Sequence, residues 1–128
     1  MAALLPVNTT TGPAPISHFS QAQVFNRLVY VSGTIAIDPK TNAIVEGTVK
    51  ERTEQIIRNI SAVLEAANSS LKRIIKVNVY LTTMESFGLM NEGYATFFSE
   101  PFPARICVAV VGLPMGTDVE IDCVAAQH

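Results

Sequence analysis

Residues 48–67 read Thr-Val-Lys-Glu-Arg-Thr-Glu-Gln-Ile-Ile-Arg-Asn-Ile-Ser-Ala-Val-Leu-Glu-Ala-Ala, the clearest element in the chain. Val49, Thr53, Ile56, Ile57, Ile60, Val63, Leu64 and Ala67 recur at spacings of three and four, which places them on one face of an α-helix. Thr48 followed by Glu51 forms a capping box at the start. Asn68-Ser69-Ser70 ends the helix.

Upstream, Ala22 to Phe25 and Leu28 to Thr34 are short apolar runs separated by Asn26-Arg27, which reads as a tight hairpin. Thr9 to Pro15 reads as a loop and Asp38 to Asn42 as a turn. Downstream, Lys76 to Leu81 alternates polar and apolar residues as a strand does. A second helix is predicted from Met84 to Ser99, with Phe87, Met90, Tyr94, Phe97 and Phe98 as its apolar stripe, ended by Glu100-Pro101. Gly88 and Gly93 each weaken it by about 1 kcal/mol relative to Ala. Close helix packing would account for them.

Ala104 to Val111 and Asp118 to Ala126 read as two strands, and the length of the 112–117 connection suits an antiparallel hairpin. The order is strands, helix, strand, helix, strands. Two helices cover only one face of such a sheet, so the other face is expected to meet a partner subunit.

The 128 residues fit a single domain spanning 1–128. Hydrophobic residues make up 48% and charged residues only 16%, a balance that points to subunit contacts as a second kind of burial. Nine Lys and Arg against eleven Asp and Glu give a net charge of −2, and only Lys72 and Arg73 are adjacent. Nucleic acid is therefore not an expected partner. Cys107 and Cys123 sit in strand-like runs and read as buried thiols. The first ten residues lack the charged and apolar regions of a secretory signal. No run approaches the roughly 18 to 20 apolar residues of a membrane span. The expected location is cytoplasmic, with the mitochondrial matrix as the alternative.

Arg105 stands alone in an apolar strand, sharing a face with Cys107, Ala109 and Val111. A guanidinium in such company calls for an anion. Glu120 or Asp122 in the neighbouring strand is one choice, and a ligand carboxylate matching the Arg fork is the other. Position alone leaves both open. Glu120 fits either a solvated strand face or a carboxylate that orients and deprotonates a water. His18 and His128 give Cys107 no activating pattern. No metal-ligand spacing and no glycine-rich phosphate loop occurs, and no cofactor is expected.

These pieces together resemble the RidA (YjgF) family. The resemblance is carried by Ser20-Gln21-Ala22, Val29 to Gly33, Asn59, Val63-Leu64, Val77 to Leu81, Phe87, Asn91-Glu92, Tyr94 and Phe97-Phe98. Its most specific parts are Pro103-Ala104-Arg105-Ile106-Cys107-Val108, Leu113-Pro114 and Val119-Glu120-Ile121. It implies an α+β, chorismate-mutase-like fold: a six-stranded, mainly antiparallel sheet with two helices on one face. It also implies a homotrimer whose sheets line a central barrel, with clefts between neighbouring subunits. The implied activity is hydrolysis of reactive 2-imino and enamine acids, such as 2-aminoacrylate and 2-aminocrotonate, to 2-keto acids and ammonia, without a cofactor. Arg105 would hold the carboxylate and Glu120 would position the water. The backbone at Gly33 and Cys107 would line the imine, and Ser32, Asn91 and Phe19 would wall the pocket.

The chain departs from the family at two places. Phe19 stands where a tyrosine is usual, which removes a hydroxyl from the pocket, and Thr34 stands where a glutamine is usual. A shifted substrate preference is expected. Some members carry the label endoribonuclease L-PSP or translation inhibitor. The acidic balance and the lack of paired histidines weigh against that reading here. A non-catalytic metabolite-binding or chaperone-like trimer is the remaining alternative.

Overall fold

A computed structural model describes residues 3–128. The long helix is α1, Val49–Ala66, and Thr48 caps it as the sequence predicts: its backbone N–H donates to Glu51 Oε1 at 3.2 Å, and its hydroxyl accepts from Lys50 N–H at 3.2 Å. At the other end Asn68 turns left-handed (φ 59°). Ser69 N–H then reaches back to Leu64 O at 2.9 Å, and Asn68 N–H to Glu65 O at 3.2 Å. This six-to-one and five-to-two pair is the Schellman arrangement, and a short polar residue tolerates the φ it requires.

The strands are β1 (Leu5–Val7), β2 (Ala22–Phe25), β3 (Leu28–Thr34), β4 (Ile74–Leu81), β5 (Ala104–Ala109) and β6 (Val119–Ala126). They form one sheet in the order β1-β2-β3-β6-β4-β5, antiparallel at every pairing except β4 with β5. The β2–β3 hairpin turns at Asn26 (φ 50°) and Arg27 (φ 65°), the two positive φ values a primed two-residue turn needs. Strand β1 has no periodic signal of its own. Its Pro6 is tolerated because β1 lies at the sheet edge.

The expected β5–β6 hairpin does not form. Strand β6 buries Val119, Ile121, Cys123 and Ala125 to 2% exposure or less and runs through the middle of the sheet, paired with both β3 and β4. Strand β5 lies at the edge beside β4, in parallel, after a crossover through α2 (Phe87–Ala95). That second helix is also shorter than predicted. It follows a 3-10 turn at Met84–Ser86, and past Ala95 its backbone tightens, with Thr96 and Phe97 N–H bonding to Gly93 and Tyr94 O. Phe98 stacks on Tyr94 with centroids 4.3 Å apart, so the apolar stripe continues after the helix has stopped.

Both helices lie on the face presented by Val29, Val31, Val77, Val79 and Ile121, which with Ile56, Ile57, Ile60 and Leu64 make the core. The opposite face is uncovered and carries Tyr30, Ile106 and Val108, exposed by 46%, 47% and 36%. Among the described residues no helix is long and apolar enough to cross a membrane.

The two glycines of α2 differ. A Cβ on Gly93 would stand 2.6 Å from Lys50 O and 3.2 Å from Thr53 Cβ, whereas one on Gly88 would meet nothing within 4 Å. Gly93 lets α2 press against the backbone of α1, and Gly88 has no such role. Gly93→Ala should therefore destabilise the fold by about 1–3 kcal/mol through overpacking. Gly88→Ala should stabilise it by about 0.5–1 kcal/mol. Thermal denaturation distinguishes them, and equal effects would contradict the packing assignment.

Candidate functional site

Alternation along β5 turns Arg105 and Cys107 toward the helices, beside Val77 and Val79 of β4. There the guanidinium meets α2. Its Nη1 donates to Asn91 Oδ1 at 2.8 Å, and its Cζ lies 4.7 Å from the Tyr94 ring centroid and 5.8 Å from that of Phe87. Aromatic faces suit a guanidinium but leave its charge unneutralised. Among the described residues the one ion pair is Arg52–Asp118, a fork with both N···O distances at 2.7 Å. Arg52 accordingly holds the Asp118 carboxyl below its ordinary range. Arg105 has no such carboxylate, so a structural ion pair within the chain is excluded for it among the described residues. It borders an open groove shared with Asn91, Tyr94, Phe102 and Pro103.

Glu120 faces the other way. It pairs with Tyr80, and Asp122 with Asn78, on the uncovered side of the sheet. Strand β3 is irregular between Val31 and Thr34, and Gly33 lies so close to Glu120 that a Cβ there would be 3.0 Å from both Cδ and Oε2. A side chain at 33 would make that carboxyl give way by a few tenths of an ångström. Burial pushes the Glu120 carboxyl above its ordinary value, and the nearby Asp122 charge adds to this. Asp122 is held in place by Asn78 Nδ2 at 2.7 Å and Tyr80 Oη at 3.1 Å, both donating to it. Glu120 lines a pocket of about 130 Å³ together with Phe19, Ser32, Gly33 and Thr34.

The residues singled out in the sequence thus fall into two groups. Phe19, Ser32, Gly33 and Glu120 line one pocket; Arg105 and Asn91 line a separate groove, with Cys107 on the same strand face as Arg105. Asn91 orients Arg105 by accepting a hydrogen bond from its guanidinium. The Ser32 hydroxyl donates to Ser20 O at 2.6 Å, so it braces the pocket segment with its one proton. Burial raises the Cys107 thiol above its usual range, against the pull of Arg105, a state unsuited to a thiolate nucleophile. Exposed His18 contacts Ser17 Oγ, 3.2 Å from its Nδ1.

Two residues of the pocket have roles that their pattern alone did not announce. Asn59 of α1 is buried and donates to Ile37 O at 2.8 Å and Ile35 O at 3.4 Å, which fixes the chain beyond β3 against the helix. Gln21 is also buried and bonds the loop before β2. Asn59 is a polar residue on an otherwise apolar helix face, and that was the available signal; Gln21 lies just before β2 and carries no such signal.

The fold agrees with the comparisons. Residues 9–127 match the family described as Endoribonuclease L-PSP, and the chain belongs to this RidA/YjgF family. It is 43% identical over 125 residues to Protein HMF1 of Saccharomyces cerevisiae, covering 98% of this chain and 96% of that one. It is 38% identical over 121 residues to the 2-iminobutanoate/2-iminopropanoate deaminase of Mus musculus, covering 94% and 90%. The crystal structure of RidA from an Antarctic Psychrobacter superposes with a TM-score of 0.92 at 39% identity, over 95% of this chain and 98% of that chain.

Proposed function

We propose that the protein hydrolyses small 2-imino acids, and the enamines in equilibrium with them, to 2-keto acids and ammonia. The observation that carries this reading is Arg105: a guanidinium aimed into a groove, oriented by Asn91 and two aromatic rings, with no carboxylate partner among the described residues. A substrate carboxylate fits that fork. A relative named as a deaminase of this class, 38% identical over nearly the whole chain, supports the choice of reaction.

The chemistry asks for few groups. An iminium carbon is already electrophilic, so water adds to it once oriented and relieved of a proton. Glu120, raised by burial, would take that proton and return it to nitrogen, and as the C–N bond of the carbinolamine breaks the hydroxyl proton passes to the freed Glu120 carboxylate. The products are ammonia and the keto acid. The substrate must reach Arg105 and Glu120 together, yet they lie on opposite faces of one sheet. A homotrimer resolves this: the Arg105 groove of one copy meets the Glu120 pocket of the next, and the uncovered apolar face is buried in the central barrel. Subunits that share sites in this way need no cofactor for the steps described.

The test couples the protein to a serine or threonine dehydratase, which releases such enamines, and follows keto acid formation. Acceleration above spontaneous hydrolysis is expected. A rate equal to the spontaneous one would overturn the reading.

A further inference from the structure

The wall of the Glu120 pocket is tied down by side chains remote from the reacting atoms. Buried Gln21 accepts from Thr9 N–H at 2.7 Å, and its amide donates to Thr9 O at 3.1 Å and Pro13 O at 2.8 Å. Its own backbone O accepts from Ser32 N–H at 3.0 Å, beside the Ser32 hydroxyl bond to Ser20 O. The segment 13–20 is thereby fastened at both ends. It closes a chamber whose walls are Ile16, Phe19, Ile35, Ile37, Val63 and Pro114, with Glu120 and Gly33 on its polar side.

A water in such a chamber finds few partners on the apolar side, while an alkyl group gains by leaving bulk water. Resting on the deaminase reading, which puts the reacting carbon beside Glu120, we infer that this chamber receives the substrate side chain. It selects 2-imino acids with apolar chains longer than methyl, and Gln21 is the positioning residue that preforms its wall. Glu120 and Gly33 sit where the water and the imine must be, and the rest of the lining is mostly apolar. Its polar members Gln21, Ser32, Thr34 and Asn59 each donate to a backbone carbonyl.

The stable products report on the chamber without turnover. Calorimetric titration of the full chain with pyruvate, 2-oxobutanoate and 4-methyl-2-oxopentanoate should show affinity rising about fourfold per added methylene. The isobutyl compound should exceed the methyl one by at least about tenfold. Gln21→Ala, which frees the wall, and Ile16→Ala, which removes part of it, should each shrink that ratio several-fold. Ile16 is 53% exposed, so its variant tests the chamber even where Gln21→Ala impairs folding. A flat or falling series, no binding by any member, or an unchanged ratio in Ile16→Ala would overturn the inference. A rising series without imine hydrolysis would sink the deaminase reading and leave the chamber standing. Rapid hydrolysis with a flat series would do the reverse.

Discussion

Arg105→Ala should lower kcat/KM for imine hydrolysis by about thirty-fold to several thousand-fold, since removing one partner of a desolvated charge pair costs about 2–5 kcal/mol. The loss should fall largely on substrate capture. Arg105→Lys keeps the charge but not the fork that Asn91 orients, so it should recover only part of the rate. The fold should survive both changes, because Arg105 is half-buried at an edge strand and anchors no ion pair among the described residues. Coupled assays with melting curves on the same preparations check this. An active Arg105→Ala would remove the carboxylate assignment.

Glu120→Gln should cut kcat by about a hundred- to ten-thousand-fold, the range expected for loss of a positioned general base. The pH dependence follows from the direction of the shift. Glu120 is raised above the ordinary value of 4.5 by burial first and by Asp122 second. Its base form therefore disappears, as pH falls, at a higher pH than for an exposed glutamate. The acid limb of the wild-type rate profile should lie above pH 4.5, and Asp122→Asn should move it downward. The stability consequence has the opposite sense. A carboxyl raised in the folded state binds its proton more tightly there, so its contribution to stability is lost as pH rises from the unfolded value through the folded one. Glu120→Gln should then melt at a higher temperature than the wild type near neutral pH, while being slower. A variant both slower and less stable would point to a structural role.

How legible this was in the sequence differs by element. Helix α1 could be read to its caps because its signals are local: a stripe from Val49 to Ala67, and Thr48 three residues from Glu51. The Asn26-Arg27 hairpin was legible for the same reason. The placement of β5 was not. A short 112–117 connection suggested a hairpin, but strand partners are decided by which strand buries both neighbours. The alternating apolar side of β6 drew it between β3 and β4. The end of α2 was misjudged because Phe97 and Phe98 keep helical spacing while packing from outside the helix.

In the site, alternation placed Arg105 and Cys107 together, and the structure agrees. The partner of Arg105 could not be read, because Asn91 and the rings of Phe87 and Tyr94 come from a helix the strand pattern does not see. Neither could the separation of Arg105 from Glu120. It depends on β6 being central and on the two side chains leaving opposite faces of the sheet.

That separation also supplies the most direct test of a site shared between copies. Arg105→Ala and Glu120→Gln subunits, each inactive as homo-oligomers, can be unfolded together, refolded as a one-to-one mixture and assayed for keto acid release. If the Arg105 groove of one copy meets the Glu120 pocket of the next, random assembly restores both residues to about one quarter of the sites. Recovery of about that fraction of the wild-type rate is expected. A mixture no more active than either variant alone would contradict it.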